Sequence, residues 1–186
     1  ETGNNATRQV AYKLAKDGSW THGSESELSN QNYGYSSLCY AGQGRFVAFY
    51  IGTSQAGMCR VLTVNTSTLA ITIGSQINLG QPAGVLSTAN NNPLRCIWHP
   101  PTNKIVFVCH EGGDTKYVAS TGTMNYSSNT VDTWGPDKYT IFTDNAEILI
   151  DTNDSTTSKN LAYDPDTQKV IFGAQYNGSN GSYSAV

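Results

Sequence analysis

The chain has 186 residues, of which 13% are charged, and its formal net charge is -3. It carries 19 aromatic residues, and its 11 Lys and Arg are scattered singly among 14 acids. A disordered chain and a polybasic nucleic-acid surface are therefore both excluded. No apolar run approaches the roughly 18 residues of a membrane helix, so no membrane insertion is expected. Polarity comes instead from 39 Ser and Thr and 17 Asn. Residues 1–10 lack the basic start and apolar stretch of a signal peptide. The chain also lacks an initiator Met, so residue 1 is not expected to be the start of the gene.

In chain order, residues 7–12 read as a strand, with another near Trp20. Only Glu25 to Asn30 has any helical character, and it is short and poorly patterned. Residues 45–51, 104–109 and 169–172 are β-branched and aromatic runs closed by Gly, Asn, Asp and Pro, the pattern of buried strands. Leu69, Ile71 and Ile73 alternate with Ala70, Thr72 and Gly74, which puts the larger three on one face. Gln55-Ala56-Gly57, Gly112-Gly113-Asp114 and Asn177-Gly178-Ser179-Asn180-Gly181 supply turn residues that tolerate positive φ. The expectation is an all-β chain.

Three stretches of this chain align with one another. Leu38-Cys39-Tyr40-Ala41-Gly42-Gln43-Gly44-Arg45-Phe46 matches Cys96-Ile97-Trp98-His99-Pro100-Pro101-Thr102-Asn103-Lys104-Ile105. Both match Leu161-Ala162-Tyr163-Asp164-Pro165-Asp166-Thr167-Gln168-Lys169-Val170. Each holds an aromatic residue (Tyr40, Trp98, Tyr163), a tight turn, a cation (Arg45, Lys104, Lys169) and an apolar strand. The cations stand 59 and 65 residues apart. A third strand opens at Met58, Tyr117 and Tyr183, and a fourth is expected over 71–79 and 139–149. Four short antiparallel strands per period of this length predict β-propeller-like blades.

The chain holds about three periods, divided as 8–36 (strands three and four), 37–94, 95–159 and 160–186 (strands one to three). It begins and ends at nearly the same phase, and a propeller needs at least four blades to close. A larger ring, or completion by other copies, is therefore expected. Within the turn, Pro165 fixes φ at the first corner while Asp164 and Asp166 can accept backbone amides. The aromatic residues are expected to pack between neighbouring blades.

Tyr163-Asp164-Pro165-Asp166-Thr167-Gln168-Lys169-Val170-Ile171, followed by Gly-rich turns and Tyr183-Ser184-Ala185-Val186, resembles repeats in large structural proteins of tailed bacteriophages, common in phages of aquatic bacteria. The likeness runs through all three periods, although the second reads His99-Pro100-Pro101 and the first has no proline at Ala41-Gly42-Gln43-Gly44. It implies a virion surface protein, such as a fibre, tail propeller or head appendage, acting in attachment or decoration without catalysis.

Catalysis needs a base, a nucleophile or a carboxylate pair held within reach. His22, His99 and His110 sit at different phases of the repeat and are not expected to converge on a metal. Glu111-Gly112-Gly113-Asp114 falls in a hairpin turn, where acids are common. Asp151-Thr152-Asn153-Asp154 lacks the glycine and distal glutamate of a calcium loop. Lys16-Asp17-Gly18-Ser19-Trp20 and Asn129-Thr130-Val131-Asp132-Thr133-Trp134 approach the turn of sialidase-type propellers without its spacing. No enzyme, metal or cofactor is expected.

Cys39, Cys59, Cys96 and Cys109 fall within apolar runs and exchange with Ile, Leu and Ala at matching positions of the repeat. They are expected to be buried free thiols, although four would also make two disulfides in a secreted protein. Asn5, Asn65, Asn125, Asn153, Asn177 and Asn180 head Asn-x-Ser/Thr sequons, usable only in a host that glycosylates. The expected setting is a virion surface or the extracellular space, with other copies, virion subunits or cell-surface glycans as partners. A secreted bacterial lectin or adhesin is the alternative, followed by a non-catalytic fragment of a carbohydrate-active enzyme.

Overall fold

The structure, a computed structural model, describes residues 7–29, 36–51, 57–79, 95–111, 116–132, 139–142, 161–176 and 181–185. These residues form antiparallel β-sheet throughout, with one 3-10 turn at Pro100–Thr102. β1 (Thr7–Gln9) pairs with β4 (Ser26–Ser29), and β2 (Tyr12–Leu14) with β3 (Trp20–His22). A first large sheet runs β5 (Ser36–Tyr40), β6 (Arg45–Ile51), β7 (Gly57–Val64) and β8 (Ile71–Ile73), with β9 (Ile77–Asn78) also on β7. A second runs β10 (Arg95–His99), β11 (Lys104–Glu111), β12 (Lys116–Asn125) and β13 (Thr130–Asp132), with β14 (Tyr139–Phe142) also on β12. β15 (Leu161–Asp164), β16 (Lys169–Tyr176) and β17 (Gly181–Ala185) make a third.

The registers of the three sheets coincide with the alignment of the sequence. Tyr40 faces Phe46, Trp98 faces Ile105 and Tyr163 faces Val170. Two residues earlier, Leu38 faces Ala48, Cys96 faces Phe107 and Leu161 faces Phe172. The residue before each cation is left-handed, with φ of 71° at Gly44, 54° at Asn103 and 56° at Gln168. A one-residue slip would turn every apolar side chain to the opposite face, so the shared register is a strong constraint.

The fourth strand is broken in two. β7 holds Ile71–Ile73 at one end and Ile77–Asn78 at the other, and β12 divides its partners between β13 and β14 in the same way. β3 and β4 repeat the division on β2 and β1. At the break, the Gly23 amide donates to the Ala11 carbonyl and the Gly74 amide to that of Val61. A Cβ at Gly23 would lie 2.2 Å from the Leu69 carbonyl oxygen, so only glycine lets the two backbones approach.

Three expectations change here. Glu25 to Asn30 carries no helical turn in its described part, because Ser26–Ser29 is β4 and buries Leu28. Leu69 does not share a strand with Ile71 and Ile73; it is a left-handed turn residue with φ of 59°. The fourth strand on β12 begins earlier than residue 139, at Thr130–Asp132, inside a stretch read as a turn. Residues 143–149 lie outside the described residues.

Both faces of β6 are buried, which explains its unbroken apolar sequence. Val47 and Phe49 point to the second large sheet and meet Ile105, Phe107, Val118, Met124 and Val131. Phe49 and Phe107 make an edge-to-face pair across the sheets, with ring centroids 4.9 Å apart. Ala48 and Tyr50 point the other way, to Leu28, Met58 and Leu62. β5 packs on β10, β10 on β15, β13 on β7 and β4 on β8.

At Gly42 the two large sheets approach closely. The Gly42 φ is +83°, and a Cβ there would stand 2.7 Å from the Tyr126 hydroxyl and 2.9 Å from the Trp98 ring. Gly44, with φ of +71°, has open space at the same test. Gly44→Ala should therefore lose about 1 kcal/mol, and Gly42→Ala clearly more, about 2–3 kcal/mol. Urea unfolding of the two variants checks the order.

Candidate binding surface

The turns after β5 and β10 gather with the turn after β12 at one edge of the two large sheets. The Tyr126 hydroxyl donates to the Ala41 carbonyl at 2.6 Å and lies 2.9 Å from Asn103 Oδ1. Arg45 Nε donates to Asn129 Oδ1 at 3.0 Å, tying the turn after β5 to the turn after β12. Asn103 Nδ2 donates to the Met124 carbonyl, while the Met124 amide donates to the Asn103 carbonyl. His99 reaches the Gln168 carbonyl through Nε2 and holds Thr102 Oγ1 through Nδ1.

The three repeat aromatics separate into different environments. Trp98 is partly buried against the core and meets Tyr40 edge-on at 5.9 Å. Tyr163 packs edge-on against His99 at 5.3 Å. Tyr40 spans both roles: it touches Trp98 and Phe46, yet half of it is open to solvent. Arg45 is drawn into the contact between sheets, whereas Lys104 and Lys169 remain exposed.

The turn motif works as its residue types require. Asp164 accepts the Asp166 amide at 3.0 Å and the Thr167 hydroxyl at 2.5 Å, so the carboxylate spans the corner that Pro165 opens. Thr167 first, then the Asp166 amide, hold its carboxyl below the ordinary 3.8. Asp132, held by Thr130 and Asn125, and Asp17, held by Ser19, are lowered in the same way.

Asn65 and Asn125, 60 residues apart, were marked by their sequons, but each builds a turn. Asn65 Oδ1 accepts the amides of Ser67 and Thr68, and Asn125 Oδ1 those of Ser127 and Ser128. Asn125 Nδ2 also donates to Asp132 Oδ2. Asn5, Asn153, Asn177 and Asn180 lie outside the described residues, as do Gly112-Gly113-Asp114 and 151–154.

Sequence reasoning missed an open apolar surface. Tyr12, Leu14 and Trp20 are between 55% and 64% exposed, on one face of the β2–β3 ribbon. Tyr12 meets Trp20 edge-on at 6.2 Å and His22 at 5.7 Å. Beside it lies a groove of about 760 Å³, with Val10 and Tyr12 on one wall and Leu38, Tyr40 and Phe46 on the other. The alternation Tyr12-x-Leu14 and Trp20-x-His22 was the available signal.

His22, His99 and His110 fall on β3, β10 and β11. Among the described residues, no three His, Cys, Asp or Glu side chains gather as metal ligands. Cys39, Cys59 and Cys96 are free. Cys39 shares a hydrogen bond with the Cys96 thiol, and that bond together with burial pushes Cys39 upward; burial pushes Cys59 upward. Cys96 Sγ also lies 3.7 Å from the Val47 carbonyl. The side chain of Cys109 lies outside the described residues.

Two outcomes follow from these geometries. A lowered carboxyl contributes stability that is complete above the ordinary value and lost as pH falls through the folded one. Asp164→Ala should lower Tm at neutral pH, and its gap from wild type should close as pH drops below the ordinary 3.8; thermal melts across that range check it. In the second, iodoacetamide at mildly alkaline pH should spare Cys39 and Cys59, whose reactive thiolates are disfavoured, and Cys96, whose side chain is buried, and should label all three in urea. Peptide mass mapping reads the difference.

The chain matches no protein-family model, no curated protein and no solved structure.

Proposed function

We propose that the chain is a run of β-propeller-type blades in a non-enzymatic virion surface or extracellular fibre protein, serving attachment or decoration through glycan or protein contacts. One observation carries the reading. The aromatic-turn-cation unit recurs at the same register in three sheets, with a left-handed residue before each cation. The broken fourth strand and the stacking of β5 on β10 and β10 on β15 support it further. Repeated sheets stacked face to face present their turns along common edges, which suits a surface built for contact.

The open face of β2 and β3 supports attachment. Tyr12 and Trp20 offer flat apolar area with few rotatable bonds, beside the exposed charges of Lys13, Lys16, Asp17 and Glu25. The free thiols of Cys39, Cys59 and Cys96 favour assembly in a reducing compartment, and so a virion over a secreted lectin or adhesin.

A glycan array and a pull-down with host surface polymer test the attachment reading. Binding is expected, and Trp20→Ala, on an exposed side chain, should weaken it at least tenfold without changing the melting temperature. Silence on both assays would overturn attachment and leave an architectural role.

A further inference from the structure

The cation of the repeat unit keeps different company in the two large sheets. Across the strands of the second sheet, Lys104 faces Thr123 and Thr123 faces Asp132. The same row in the first sheet is Arg45, Thr63 and Thr72. Residues directly opposite one another share a face. The second sheet thus sets a carboxylate on the face of its own cation, two strand spacings or about 10 Å along the sheet. The first sheet has a threonine hydroxyl in that place, so its row carries a cation and no acid.

Arg45 alternates with Val47 and Phe49 along β6, so it points toward the second large sheet at the turn edge of the seam. It is partly buried and held by two neutral acceptors. Nε donates to Asn129 Oδ1 at 3.0 Å, and Nη1 donates to the Gln43 carbonyl at 2.6 Å. Nη2 has no acceptor among the described residues. The ion pair among those residues joins Arg8 to Glu25. Asp132 lies on the other face of β13, because Val131 beside it turns inward to the first sheet. Asn129 accepts through Oδ1, which leaves Nδ2 to donate. Thr63 is half-buried and Thr72 exposed, and both add hydroxyls.

These groups are matched to an anion. A guanidinium withdrawn from water is costly unless a negative group completes it. Its planar fork, already fixed, loses little freedom on gripping a carboxylate. We propose that Arg45, Thr63, Thr72 and Asn129 bind an acidic glycan at the mouth of the seam. Arg45 takes the sugar carboxylate, and the hydroxyls and the Asn129 amide take neighbouring sugar hydroxyls. The Lys104 row is no second copy of this site, since Asp132 repels the same group. The inference rests on the attachment reading above and adds the ligand class and a site apart from Tyr12 and Trp20.

Isothermal titration of the whole chain tests it with three probes: an oligogalacturonate, the same oligosaccharide with its carboxyls reduced to alcohols, and a sulfated galactan. The oligogalacturonate should bind at least tenfold more tightly than its reduced form, and its affinity should fall as salt rises. Thr72→Asp, on an exposed side chain, copies the arrangement of the second sheet. It should weaken uronate binding at least tenfold while keeping the wild-type melting temperature. Arg45→Lys keeps the charge without the fork and should also lose at least tenfold; its melting temperature reports separately on the tie to Asn129. No binding of the oligogalacturonate, equal binding of the reduced form, or normal binding by Thr72→Asp would overturn the proposal. Tighter binding of the sulfated galactan would exclude the carboxylate and the proposal with it. Trp20-dependent binding of neutral glycans with no preference for uronate would sink this inference alone. Uronate binding that Trp20→Ala leaves untouched would sink the Tyr12 and Trp20 surface alone.

Discussion

Everything in this fold depends on burying both faces of the second strand in each large sheet. A sheet with one wet face could tolerate polar residues at every other position of that strand. β6 has none among Phe46, Val47, Ala48, Phe49 and Tyr50, because alternate members pack against different neighbours. The consequence is stacking. The first large sheet is the floor of one core and the ceiling of the next, and Phe49 against Phe107 is where the two large sheets lock. The turns need only keep the sheets in step, which is the work of Arg45 on Asn129 and Tyr126 on Ala41.

Neutral polar groups suit that work better than charges. The ties across the turns run from hydroxyls, amides and one guanidinium to carbonyl oxygens, groups that lose less on leaving water than ion pairs do. The composition follows, with 13% charged residues and 39 Ser and Thr. The salt bridge from Arg8 to Glu25 lies where solvent screens it. Acid sensitivity accordingly enters through turn carboxylates such as Asp164 and not through ion pairs.

How much of this was legible in the sequence depended on whether a signal was local. The strands, the three-fold alignment and the Asp164 turn could be read because each arises from neighbours in the chain: a buried run, a proline, a carboxylate two residues from its amide. The break in the fourth strand could not be read, since Gly23 and Gly74 are needed for backbones that lie far away in sequence. Leu69 misled because alternation counts side chains and ignores φ. Asn65 and Asn125 were legible as sequons, but the turns that their side chains build were not read from them. Asn followed two residues later by Ser is also the pattern of a turn in which the side chain accepts that residue's amide. The Tyr12 and Trp20 surface went unread because exposure is a property of what does not pack against a residue.

The thiols show how stacking shapes residue choice where no chemistry is asked of the site. Cys39 and Cys96 occupy facing strands of adjacent sheets and share a hydrogen bond, with Cys96 also close to the Val47 carbonyl. Leu38 and Leu161 stand at the Cys96 position in the other sheets, and Leu38 is 48% exposed there. A small, polarizable side chain fits a narrow gap and can still donate weakly to a carbonyl. Oxidising the pair would replace that fit with a bond of fixed geometry between the two large sheets. The interface is thus best served by keeping these sulfurs reduced.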